Sequence, residues 1–269
     1  MFEQPTPEEA ANHEAGILFA NPQKQHLFES VSQRIIKKNA QTKEAVKDSQ
    51  EREIIIFGDT FEMVAKEENR LQHTETEPQR GVREIIENIY QNAELILGTA
   101  HERPSKPDGI SVGFDAKGRL IINEIVEMKT SENAFRHGID KDQPAKTLNT
   151  IGHIVTILNR LAKGENTSNI KPLDHELPFD KRVKRDGELK KIKDHLISII
   201  GTGNTITFSP EMIYRLIVPN GQEIPTFNPD LLQEEGFLTT TLKISHSEFS
   251  KRDIHEIIHQ TDSKKPSQY

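Results

Sequence analysis

Three side chains able to do chemistry stand close together in the stretch "KPDGISVGFDAKGRLIINEIVEMKTS", Lys106 to Ser131. Asp108 opens its first apolar run, Glu127 closes its second, and Lys129 follows two residues later. A turn-like "DAKG" separates the runs, so the segment reads as a β-hairpin. With a two-residue loop around Ala116-Lys117, Phe114 pairs with Arg119, Val112 with Ile121, Ile110 with Asn123 and Asp108 with Ile125. Asp108, Ile110, Val112 and Phe114 then share a face with Ile121, Ile125, Glu127 and Lys129, because side chains alternate along a strand. Glu127 becomes the diagonal neighbour of Asp108, roughly 5–8 Å away between Cβ atoms. Two carboxylates this close repel unless a cation lies between them. Oxygen ligands of this kind suit Mg2+ or Mn2+, which bind through one or two carboxylates and keep several waters. A lysine directed into the same space can orient a water or stabilise charge developing on a phosphate. Acid, acid and lysine on one face is a site for metal-assisted hydrolysis of a phosphodiester. The same residues also read as solvated strand ends.

The elements that must position these groups are legible in outline. "NPQKQHLFESVSQRIIKKN" is a helix capped by Asn21, with Pro22 in its first turn and a stripe of Leu27, Phe28, Val31 and Ile35. "REIIIFGDTFEMVAKEENRLQ" offers a short β-branched run and a helix, in an order left open. "HTETEPQRG", residues 73–81, reads as a linker. "VREIIENIYQNAELIL" repeats apolar residues at helical spacing, and the hairpin follows it. Beyond a polar loop, Thr130 to Asp142, "PAKTLNTIGHIVTILNRLAKG" and "GELKKIKDHLISIIG" are further helices. "TITF", "MIYRLIVP" and "FLTTTLKIS" return to β, and a Ser245-x-x-Glu248 capping box introduces a last helix. The expected layout is a disordered tail over 1–15, a helical N-terminal extension over 16–72, the linker 73–81, an α/β domain over 82–260 and a second tail over 261–269. The fold class is α/β (α+β): a small mixed sheet flanked by helices.

Composition bounds the partners. The 269 residues contain no cysteine, which excludes disulfides and Cys-based zinc sites and suits a reducing compartment. No run approaches the ~20 apolar residues of a membrane span, and the start lacks the basic-then-apolar pattern of a signal peptide. The expectation is a cytoplasmic protein with no membrane partner. A net charge of −7 weighs against a generic nucleic-acid coat while allowing a local basic face. "KRVKRDGELKKIK", Lys181 to Lys193, holds seven basic residues against three acidic ones counting Asp180. Lys181, Arg182, Lys184, Arg185, Lys190 and Lys191 are therefore the candidate nucleic-acid contacts, although the cluster also reads as a solvated helix face.

"PD", then "EMK" eighteen residues on, carried on paired strands between helices, resembles the PD-(D/E)xK nuclease superfamily, whose members include restriction endonucleases, Holliday junction resolvases and RecB-type exonucleases. The resemblance spans about Val82 to Pro219. It implies a restriction-endonuclease-like αβββαβ core, a metal-dependent nuclease activity on nucleic acid with DNA the first expectation, and Mg2+ or Mn2+ as cofactor. It also implies Asp108 and Glu127 as metal ligands, the Met128 carbonyl as a third, and Lys129 as the catalytic lysine. Many relatives add a glutamate from the preceding helix, where Glu84, Glu87 and Glu94 are available; Glu87 is the one placed at the site. Gln143 has the spacing of the glutamine that RecB-type members carry, with Thr147 where their tyrosine would stand. A homodimer is open.

Two other readings remain. "HEIIH", His255 to His259, matches the zinc helix of metalloproteases, with Glu256 placed to activate water and Asp262 as the only strong third ligand after it. A nuclease-like fold without activity, serving to bind nucleic acid or protein, is the other.

Overall fold

The computed structural model describes residues 21–72, 74–98, 106–130, 143–172, 177–223 and 240–263. The tail expected over 1–15 and most of the loop at 130–142 lie outside these. Asn21 accepts a hydrogen bond from the Gln23 N–H at 2.8 Å. Helix α1, Pro22–Ala45, therefore starts where its sequence places it and buries Leu27, Phe28, Val31, Ile35 and Ile36. Helix α2, Ser49–Gln72, takes in the whole of "EIIIF", so no strand forms there. The apolar spacing continues through that run as Ile56, Phe61, Val64 and Ala65, all buried, while Ile54 points to solvent. The helical period outweighs the β preference of three isoleucines.

The expected linker is shorter than 73–81, because helix α3 spans Glu77–Gln91. Its start is fixed by Gln79, whose Oε1 accepts from the Thr76 N–H at 2.7 Å and whose Nε2 donates to the Val112 carbonyl at 2.8 Å. Gly81 sits inside the helix for a packing reason: a Cβ there would lie 2.6 Å from Ile199 Cδ1. A short helix α4, Ala93–Ile96, follows.

Strands β1 (Gly109–Phe114) and β2 (Leu120–Met128) form the antiparallel hairpin. Helix α5 (Gln143–Ala162), a 3-10 turn (Thr167–Asn169) and helix α6 (Phe179–Ile200) lead to β3 (Thr207–Asn220), then β4 (Thr241–Ser250) and α7 (Lys251–Ser263). The sheet order is β1-β2-β3-β4, with β3 parallel to both β2 and β4. The last helix begins five residues later than its expected capping box. Ser250 and Asp253 form the box instead: Ser250 N–H donates to Asp253 Oδ2 at 2.7 Å, and Asp253 N–H to Ser250 Oγ at 3.2 Å. It also runs past the boundary expected at 260.

The result is a mixed sheet with helices on both faces. Helices α3, α5 and α6 bury one face through Ile86, Ile89, Leu148, Ile151, Leu158 and Leu189, against Ile122, Ile125 and Tyr214. The other face carries Val126, Met128, Ile217 and Phe249, covered by α1, α2 and α7. Among the described residues two strands precede α5, where the resemblance implied three, and α6 is interposed before β3. No helix among them is long and apolar enough to cross a membrane.

The α1–α2 pair is thus half of a core rather than an appendage. Deleting residues 1–72 would expose Val126, Met128, Ile217, Phe249, Ile254 and Ile257. At about 1.5–3 kcal/mol for each side chain, the loss is comparable to the whole stability of a typical domain. The truncated chain is expected to lose cooperative thermal unfolding, read by circular dichroism; a sharp transition near that of the full chain would show that 73–269 folds alone.

Candidate active site

The hairpin departs from its expected register twice. Asp115 N–H bonds the Arg119 carbonyl at 2.9 Å and Gly118 N–H the Asp115 carbonyl at 2.9 Å, so the loop has three residues, not two. Gly118 takes φ +74°, the left-handed position that such a loop requires. A bulge follows, since Val112 pairs with Ile122 but Ser111 pairs with Glu124, leaving Asn123 extra. Each offset alone would turn Asp108 and Glu127 to opposite faces. Together they amount to two residues, and the acids stay on one face. Gly109 pairs with Val126, which sets Asp108 opposite Glu127 rather than diagonal to it.

Around these acids the packing is close. Glu127 is 1% exposed and Asp108 half-buried. Asp108 Oδ2 accepts from the Met128 N–H at 2.7 Å, so this acid also closes the end of the ladder. Lys129 Nζ lies 3.4 Å from Glu127 Oε2, which also accepts from Gln143 Nε2 at 3.3 Å. Gln143 stands at the start of α5, and Thr147, one turn on, is fully buried. Glu127 Oε1 and the hydroxyls of Tyr90 and Tyr214 are all buried without a partner of hydrogen-bond geometry among the described residues. They are nonetheless neighbours, for the Glu127 charge raises the pKa of both phenols, after burial itself. Burial first and the Asp108 charge second push Glu127 up to about 7, against the pull of Lys129. Asp108 is raised too, by burial and then by Glu62, with the Met128 N–H, Lys66 and Lys129 opposing.

Glu62 and Lys66, paired with each other on α2, enter the site from the face opposite α3. Nothing in their spacing along the chain points to this place. Tyr90 and Tyr214 also stand out only in the fold, where two of the chain's three tyrosines flank one carboxylate. A cavity of about 160 Å³ opens beside the site and is lined by Asp108, Glu87, Tyr90 and Lys66. Glu87 is the helix glutamate that shares this space, with its carboxylate 3.0 Å from Arg83 Nη1. Glu84 is exposed, and Glu94 pairs with Lys181 at 2.9 Å.

The described residues contain no group of three or more His, Cys, Asp or Glu arranged to hold a metal. A divalent ion here would therefore have two carboxylates, a main-chain carbonyl such as that of Met128, and waters. That sparse oxygen set suits Mg2+ or Mn2+, and Glu127 Oε1, without a partner of hydrogen-bond geometry among the described residues, has a lone pair to offer. Zinc at "HEIIH" fits poorly. His255 and His259 are both exposed, His255 rests on the Phe57 ring with centroids 4.8 Å apart, and Asp262 pairs with Lys43 at 2.6 Å.

The basic cluster on α6 is only partly available. Arg185 is 3% exposed and donates to the Ile96 and Ile170 carbonyls at 2.9 and 2.6 Å, so it is a core tie and not a nucleic-acid contact. Lys181 pairs with Glu94 and Lys191 with Glu188, the latter at 2.8 Å. Arg182, Lys184 and Lys190 are exposed. No residue of α6 lines either cavity that Asp108 lines. The chain matches no family model, no curated protein and no solved structure.

The raised pKa of Glu127 has a sign that can be tested without any ligand. Folded Glu127 keeps a proton that the unfolded chain releases above its ordinary value of 4.5. Stability of the metal-free protein should therefore fall as pH rises from about 4.5 to about 7 and level off above, by a few kcal/mol at most. Glu127→Gln should flatten this fall, measured as thermal midpoints in EDTA at about pH 5 and about pH 8. Equal losses in both proteins would mean that Glu127 titrates normally.

Proposed function

We propose that the protein is a metal-dependent nuclease that hydrolyses phosphodiester bonds of nucleic acid, DNA in the first place, at Asp108, Glu127 and Lys129. The observation that carries this reading is the acid pair facing across the β1–β2 ladder, Glu127 buried and Asp108 half-buried, with Lys129 Nζ 3.4 Å from Glu127. Burying two like charges side by side disfavours folding, and a fold keeps such an arrangement where it has a use. When bound, a divalent ion would polarise the phosphoryl oxygen and make its water more acidic. Asp108, Glu127 and the Met128 carbonyl would hold it. Tyr90 and Tyr214 stay protonated, because burial and the Glu127 charge both disfavour phenolate, so they offer O–H groups and no competing anion. Gln143 orients the Glu127 carboxylate through its hydrogen bond to Oε2, and the two buried rings keep bulk water from its back. Lys129 supplies a fixed positive charge for an attacking water or for a phosphate gaining negative charge.

The opposed reading, a fold that binds without cleaving, has one observation behind it: Asp108 already serves as a ladder clasp through Met128 N–H.

Lys129→Ala separates the two. Metal affinity by Mn2+ calorimetry should persist in this variant and collapse in Asp108→Ala. Cleavage of a panel of duplex and single-stranded DNA and RNA in Mg2+ should fall by about 10²–10³. Cleavage at the wild-type rate would place the activity elsewhere, and no cleavage by the wild type would favour the binding-only reading.

A further inference from the structure

A second cavity, of about 300 Å³, is lined by Asp108 and Met128, by the cations Arg34, Lys66, Arg70 and Arg83, and by Glu67, Glu75 and Glu87. Its cations come from three helices, so their convergence is a product of folding and leaves no run of charge in the sequence. They are not equivalent. Lys66 is balanced by Glu62, and Arg83 is held between Glu75 at 2.9 Å and Glu87 at 3.0 Å. Arg34 and Arg70 instead share one carboxylate, that of Glu67, at 3.1 and 2.5 Å. Two positive charges stand over one negative charge. The geometry is also uneven in exposure: the Glu67 side chain is 8% exposed, while those of Arg34 and Arg70 are 60% and 64% exposed. The buried carboxylate holds both guanidiniums in place, its own pKa lowered chiefly by the Arg70 hydrogen bond. Its bonds engage one donor nitrogen of Arg34 and two of Arg70, out of the five N–H groups each guanidinium carries.

Resting on the nuclease reading of the acid pair, we propose that Arg34 and Arg70, fixed by Glu67 at the mouth of this cavity, grip the phosphate backbone of a nucleic acid and seat it over Asp108 and Glu127. A preoriented guanidinium pairs with a phosphate through two parallel hydrogen bonds, which a flexible lysine cannot do. Position favours this surface over α6, whose exposed cations lie outside the cavity that Asp108 lines. Glu67 is a positioning residue: it touches the guanidiniums and not the strand. An Arg–Glu–Arg group could also serve only to clasp α1 to α2, and that role predicts a different result.

The test is binding of labelled duplex and single-stranded DNA in EDTA, where cleavage plays no part, measured across a salt series. Arg34→Ala with Arg70→Ala should weaken binding about tenfold or more and reduce the slope of log K against log salt by about 2. Lys190→Glu with Lys191→Glu should leave both unchanged. Arg34→Lys with Arg70→Lys keeps the charge and a folded chain, and it should retain most of the slope while losing affinity. A fall in thermal midpoint with affinity and slope unchanged would leave a structural clasp only and overturn the proposal. So would a wild type that shows no salt-dependent binding to either DNA. Failure of the nuclease reading looks different: binding that depends on Arg34 and Arg70, without cleavage by the wild type in Mg2+.

Discussion

Two carboxylates facing each other across a strand pair, one of them almost wholly out of water, set the terms for everything around them. At separations of a few ångströms in a protein interior such charges repel by several kcal/mol. The fold answers with groups from every neighbouring element. Met128 N–H comes from β2, Lys129 from the residue after it, Gln143 from α5, Tyr90 from α3, Tyr214 from β3, and Lys66 from α2. None of these elements is adjacent in sequence to all the others, so the site exists only once both helical layers are in place.

That dependence explains why the N-terminal helices are built into the core. The sheet face bearing Val126 and Met128 is apolar and must be covered, and α1, α2 and α7 cover it. In doing so α2 brings Glu62 and Lys66 beside Asp108, and α1 and α2 together bring the Arg34–Glu67–Arg70 group to the same end of the sheet. Packing and chemistry are served by opposite faces of one helix. Along α2, Phe61, Val64 and Ala65 point inward, while Lys66 and Arg70 line the opening and Glu62 acts on Asp108 through its charge.

How much of this was legible in the sequence follows from which interactions are local. Caps and periods are local, so α1, α5 and the hairpin could be read from Asn21, Pro144 and the "DAKG" turn. The acid–acid–lysine set was legible for the same reason, although the three-residue loop and the bulge each shift its register by one and cancel in parity. The bulge at Asn123 leaves no mark in the sequence, because bulges are set by the twist and pairing of neighbouring strands. Charge counting failed differently. It singled out Lys181 to Lys193, since seven basic residues in thirteen is a visible cluster, yet Arg185 lies in the core and Lys193 is tied to main-chain carbonyls. The cations that converge on the cavity, Arg34, Lys66, Arg70 and Arg83, spread over three helices, and only tertiary structure gathers them.

The state of Glu127 ties the electrostatics to the chemistry proposed for the site. A pKa near 7 means that in neutral solution the acid pair lies close to the point of taking up one positive charge. A proton is the smallest cation that relieves the repulsion, and it neutralises only one oxygen. A divalent ion held by both carboxylates relieves it on both sides and competes with the proton for the same lone pairs, so its affinity rises as the proton leaves. Lys129, at 3.4 Å, lowers the Glu127 pKa but cannot remove the Asp108 repulsion alone. The burial that makes this pair unfavourable when empty of charge compensation is therefore the same property that would make it selective for a small, hard, doubly charged ion. A surface pair of aspartate and glutamate, screened by water, would have no such preference.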